Sequence, residues 1–182
     1  CAMPSGWRSA AGIAAIAFAT LLHELLLVRW VSARLLNNYA FLIISLAMAG
    51  FAIGGLLLAL WGSKLVPKVE THAGRLFDLY ALSTLATWAL FGAIAVPGGL
   101  TQLSTDAVPL SLAFSVVLAL PFVFSGLAVG SFLSDPGERA ARLYGFDLCA
   151  AALGCVASAA GVWAFGLERT VAWLAGVEHV RE

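Results

Sequence analysis

Five apolar stretches, each long enough to cross a bilayer, occupy nearly all of this 182-residue chain. A helix needs roughly 20 mostly apolar residues to cover the hydrocarbon core. That length recurs at about residues 10–28, 39–61, 76–96, 108–132 and 143–165. In lipid, every backbone N–H and C=O must be satisfied within the segment, and a helix does this alone. The stretches are continuous, whereas barrel strands alternate over about ten residues. The sequence therefore predicts an all-α fold: a polytopic transmembrane helix bundle of five spans in one integral membrane domain. Mean hydropathy of +0.96, with only 11% charged residues, excludes an ordinary soluble globular domain. The formal net charge is zero, with no basic arm, so the expected partner is the lipid bilayer and not nucleic acid.

The breaks between stretches set the expected topology. A polar segment from Arg29 to Asn38 ends the first span, and its Trp30 suits the membrane interface. A basic loop carrying Lys64, Pro67, Lys68, His72 and Arg75 follows the second span. Pro97, Gly98 and Gly99 end the third. Pro121 lies inside the fourth span, removes one backbone bond and predicts a kink. After Gly166 another apolar run begins, too short to cross by itself; it is an outer tail or the opening of a sixth span. Arg8, Lys64, Lys68, Arg75, Arg139 and Arg142 gather on one side, and Arg29, Arg34 and Arg169 on the other. Cationic loops stay in the cytoplasm. The expectation is a multi-pass protein of the bacterial inner membrane with a cytoplasmic N-terminus. The chain opens on Cys1 without an initiator Met, so a processed, trimmed or partial chain is expected.

Small residues at helical spacing mark packing faces, because helices in lipid associate by close approach of their backbones. Gly50 and Gly54 form one such pair, and Gly126 and Gly130 a second. Ala150, Gly154 and Ser158 form a third stripe. Packing within one bundle is favoured over a homodimer face, since a single chain carries all three. Cys149 and Cys155 are six residues apart and point to different helix faces, as small buried hydrophobes.

Few residues offer chemistry. Glu24 is ionisable and lies within the first apolar span, about one and a half turns from its outer end. Such groups face the protein interior or water. It reads either as a proton- or cation-binding carboxylate or as an anchoring ion pair with Arg29 or Arg34. His23 turns to another face and reads as a hydrogen-bonded interfacial histidine. Asp78 and Asp147 each fall about one turn inside a helix start, where the helix dipole favours a carboxylate. His23, Glu24, Arg29, Arg34, Asn37, Asn38, Gln102 and Asp106 collect at the outer ends, as a solvated rim or a polar pocket. There is no HExxH, no zinc-ligand spacing and no hydrolase triad. No catalytic residue, metal site or cofactor is predicted.

Two stretches resemble a known family. LLHELLLVRWVSARLLNNYAFLIISLAMAGFAIGGLLLAL places a membrane Glu and Arg before a small-residue helix ending in GxxxGG. LPFVFSGLAVGSFLSD is followed by RLYGFDLCAAALGCVASAAGVWAFGLERT, with Leu-Tyr-Gly-x-Asp ahead of a glycine-spaced helix. Both are similar to the integral membrane domain of membrane-embedded spermidine synthase-like proteins, over most of residues 15 to 170. In that family the bundle precedes a cytosolic aminopropyltransferase domain. The resemblance thus implies anchoring of an enzyme domain beyond Glu182, or a stand-alone accessory subunit among other membrane subunits. The glycine-rich strand–helix turn of the enzyme half does not occur here, so its activity is not carried over. The rival expectation is a small-solute or cation transporter using Glu24.

Overall fold

The structure is a computed structural model. It describes residues 5–34, 38–93, 108–134, 138–167 and 169–170, with side-chain surroundings for 9–33, 41–62, 74–90, 113–134, 140–167 and 169–170. Four helices carry these residues: α1 (Ser5–Arg34), α2 (Asn38–Ala93), α3 (Val108–Leu133) and α4 (Glu138–Phe165). The fold is all-α. Four stretches are long and apolar enough to span a membrane: Ser9–Ala33, Phe41–Gly62, Ala113–Leu133 and Ala140–Phe165.

The helix α2 contains two of the expected spans. Its 56 residues would reach about 84 Å if straight. It is not straight. The ring of His23 lies 5.6 Å from Trp88 and 5.7 Å from Phe122, and Phe122 lies 6.3 Å from Phe51. In series these spacings hold Phe51 and Trp88 within about 18 Å, whereas a straight helix would set them about 55 Å apart. The chain therefore doubles back between Leu58, which lies at Gly130 on α3, and Phe77, which lies at Gly12 on α1, a stretch of sequence that holds Pro67. The part of α2 before this reversal is its first arm, and the part after it is its second. The expected basic loop is thus helical in its backbone and not an irregular connection.

Three tiers of core, with the close approach of Gly50, Gly54 and Leu58 to α3, fix the direction of every pass. At one end Ala10 and Ile13 meet Leu143, with Val129, Phe132 and Leu133 packed against them. In the middle Ile16 meets Tyr80 and Ala128. At the far end Leu26, Leu27, Trp30 and Val31 meet Ile43, Trp88 and Leu118, with Val162 and Leu167 against them. Helix α1, the second arm of α2 and α4 consequently run one way, and the first arm and α3 run the other. This is the alternation five passes require. Arg75 and Arg142 fall towards the end where α1 starts, and Arg29 and Arg169 towards the opposite end.

Contact is most extensive between α2 and α3 and between α1 and α4. Glycine explains both. A Cβ at Gly50 would come within 2.6 Å of Phe122 Cβ and 2.9 Å of the Ala119 carbonyl oxygen. At Gly54 it would lie 2.8 Å from both Leu127 N and Val123 O. From the other side, one at Gly126 would meet the Phe51 backbone at 3.1 Å. One at Gly154 would lie 2.6 Å from the Phe18 carbonyl oxygen on α1. Gly130 differs, because a Cβ there meets only the tip of Leu58. Backbones in contact give the dispersion that holds helices together where lipid tails are as apolar as leucine.

The outer surface is apolar. Phe41, Met48, Leu60, Leu153, Val156 and Trp163 are all exposed, Trp163 to 89%. Side chains of this size on the outside suit a surface wetted by acyl chains, so the chain is a multi-pass membrane protein. Cys149 also lies on this outer surface, contrary to the expectation of burial, and both described cysteines are free. Helix α4 ends at Gly166, whose φ of 77° is the left-handed conformation glycine adopts without a Cβ clash. Its N–H bonds the Val162 carbonyl at 3.0 Å, a C-terminal cap. Beyond it, the Thr170 hydroxyl shares its one proton between the carbonyls of Gly161 and Gly166, at 2.9 and 2.7 Å, and so returns against α4.

Candidate functional site

The centre of the bundle is polar on one seam. Thr20 and His23 of α1 face Tyr80, Ser83, Thr84 and Thr87 of the second arm and Ser125 of α3. All are buried except Thr84, which is partly so. Spacing accounts for the alignment: residues three and four apart share a helix face. Most of the hydroxyls are satisfied locally. Ser83 donates to the Tyr80 carbonyl at 2.8 Å, and Thr87 donates to that of Ser83 at 3.0 Å. Thr20 donates to the Ile16 carbonyl at 2.7 Å and lies 2.8 Å from Ser125 Oγ. Thr20 has one proton and gives it to Ile16, so Ser125 is the donor between helices. In lipid such a bond contributes about 0.6 kcal/mol on average.

His23 is not satisfied. Its ring is 4% exposed, edge-on to Trp88 (interplanar 85°) and tilted against Phe122. Neither ring nitrogen has a hydrogen-bond partner among the described residues. The same holds for Tyr80 Oη and Thr84 Oγ1. Ser158, buried on α4, is a further case. Leaving a buried polar group unpaired costs about 1–3 kcal/mol. The expected interfacial, hydrogen-bonded histidine is therefore a central one. The reason is that α1 continues to Arg34. The polar segment opening at Arg29 is largely helix, Trp30 and Val31 are buried in the far tier, and His23 lies well below that end.

Glu24 is deeper than the sequence implies for the same reason. It stands about 13 Å, two and a half turns, from the end of its apolar stretch at Ala33. It is partly buried, on the stripe that holds Ala17, Thr20, Leu27 and Val31, and Arg29 is exposed. Among the described residues Glu24 forms no ion pair; the side chain of Arg34 lies outside them. Asp147 also moves. It sits about 13 Å beyond the start of α4 at Glu138, past the first turn in which a helix dipole acts. It lies on the stripe of Leu143, Ala150 and Gly154 that faces α1, partly buried. Asp78 is exposed, close to where the second arm of α2 begins.

Of the expected outer polar cluster, only His23, Glu24 and Arg29 have described side chains. His23 turns into the bundle while Arg29 turns out. Asn37, Gln102 and Asp106 lie outside the described residues, as do the side chains of Arg34 and Asn38. What sequence reasoning missed is the seam itself. Thr20, Tyr80, Thr84 and Ser125 are ordinary residues in apolar helices. Only their spacing within each helix, Thr20 to His23 and Tyr80 to Thr84, hinted at a shared face. Among the described residues no group of three or more His, Cys, Asp or Glu is placed to hold a metal ion. The chain matches no protein-family model, no curated protein and no solved structure.

Proposed function

We propose that this chain is a membrane-anchoring and scaffolding domain, an accessory or anchoring unit without catalytic residues of its own. The observation that carries the reading is the glycine-locked packing of α2 on α3 and α4 on α1, which builds a firm lipid-facing body. The likeness to spermidine synthase-like membrane domains supports the same role. The sequence excess of Lys and Arg at Arg8, Lys64, Lys68, Arg75, Arg139 and Arg142 supports a cytoplasmic N-terminus in a bacterial inner membrane. The test is purification of the tagged full-length protein from its native membranes in mild detergent, read by native mass spectrometry. A stoichiometric companion, another subunit or an appended soluble domain, is expected. A clean, solitary bundle would refute the reading.

The depth of Glu24 favours a second reading, carriage of a cation or small solute. Glu24→Gln should abolish uptake into proteoliposomes in that case, and unchanged flux removes it.

A further inference from the structure

Anchoring makes no use of the polar seam, and its chemistry narrows what the seam can hold. His23 carries two ring nitrogens without partners among the described residues, inside a ring that is 4% exposed. Tyr80 and Thr84, one turn apart on the facing arm, bring two more buried polar atoms in the same condition. Tyr80 packs beside Ile16 in the middle tier, and Thr84 lies one turn on towards Trp88, whose ring touches that of His23; Thr20 lies one turn below His23. Thr20 itself is committed to Ile16 and Ser125. Polar atoms without partners among the described residues thus stand on α1 and on the second arm of α2 that packs against it, beside the Thr20–Ser125 pair.

The occupant must be small. Trp88 and Phe122 pack on the His23 ring at 5.6 and 5.7 Å between centroids, which is the spacing of rings in contact. An organic ligand does not fit between them. The polar groups are hydroxyls and an imidazole, which both donate and accept. A metal ion calls for several carboxylates, thiolates or imidazoles, and the described residues supply no such group. Water matches both size and chemistry, since a buried water takes two to four polar partners.

We propose that His23, Tyr80 and Thr84 form a buried hydration site at which water exchanges protons with the His23 imidazole. The exchange replaces one ring N–H proton with one water proton and leaves the charge of the ring unchanged. The site stands independently of the anchoring and carriage readings.

The chain has three histidines, so His72→Gln and His179→Gln leave His23 as the sole imidazole. The full chain, labelled with 15N-histidine and placed in lipid bilayers, is read by water-edited solid-state NMR. Magnetisation from water is expected to reach the ring nitrogens. The transfer should slow several-fold in Tyr80→Phe or in Thr84→Val, and Thr84→Ser, which keeps the hydroxyl, should retain it. A ring that receives no water magnetisation overturns the proposal. So does transfer unchanged in both hydroxyl-deleting variants.

Discussion

Two adjacent glycines on the first arm of α2 should respond oppositely to the same substitution. A Cβ at Gly54 would come 2.8 Å from Leu127 N, 2.8 Å from Val123 O and 3.0 Å from Gly126 C. All three atoms belong to the backbone of α3, so no rotamer change relieves the clash and the helices must part. At Gly55 an added Cβ meets nothing within 4 Å. Alanine's helix-propensity advantage, at most about 1 kcal/mol, applies to both positions and cancels in the comparison. What remains is the overpacking cost, about 1–3 kcal/mol. A central value of about 2 kcal/mol corresponds to roughly a 30-fold difference in the folding equilibrium. The assay is unfolding in mixed micelles titrated with SDS, followed by tryptophan fluorescence. Gly55→Ala should leave the midpoint unchanged or raise it, and Gly54→Ala should lower it. Gly130→Ala is the internal control, because the single atom it would crowd is the flexible tip of Leu58. Equal midpoints for Gly54→Ala and Gly55→Ala would refute the idea that backbone contact binds these helices.

Thr20→Val and Ser125→Ala should each destabilise the bundle, and a double-mutant cycle should return a coupling of about 0.6 kcal/mol; zero coupling would mean the 2.8 Å approach carries no hydrogen bond. Spin labels at the exposed positions Leu42 and Ala89 should lie under about 30 Å apart by pulsed EPR if α2 folds back, against about 70 Å for a straight helix.

Span existence was legible because continuous apolar length has only one backbone solution in lipid. The glycine stripes were legible as packing faces for the same reason, although their partners were not. Sequence alone did not reveal that Gly50 and Gly54 seat on Ala119–Leu127, or that Gly154 seats on Phe18. Boundaries failed where polarity was mistaken for an end. Arg29 stopped the reading of the first span, yet arginine holds its charge at the surface of a continuing helix while Trp30 and Val31 turn inward. That single misplacement put His23 and Glu24 too near the rim. Asp147 was misjudged similarly, because α4 begins at Glu138 and not beside the acid. The seam escaped notice because hydroxyls bonded to their own helix cost little, and so leave no mark on a hydropathy pattern.

The two glycine seats have a mechanical consequence. Stiffness is concentrated where main chains touch, within α1–α4 and within α2–α3, so each pair resists shear as one piece. Between the pairs, among the described residues, lie the interdigitated side chains of the three core tiers and the Thr20–Ser125 hydroxyl bridge, which yield to rotation of side chains. Strain applied from outside would therefore collect along that compliant joint and spare the welded halves.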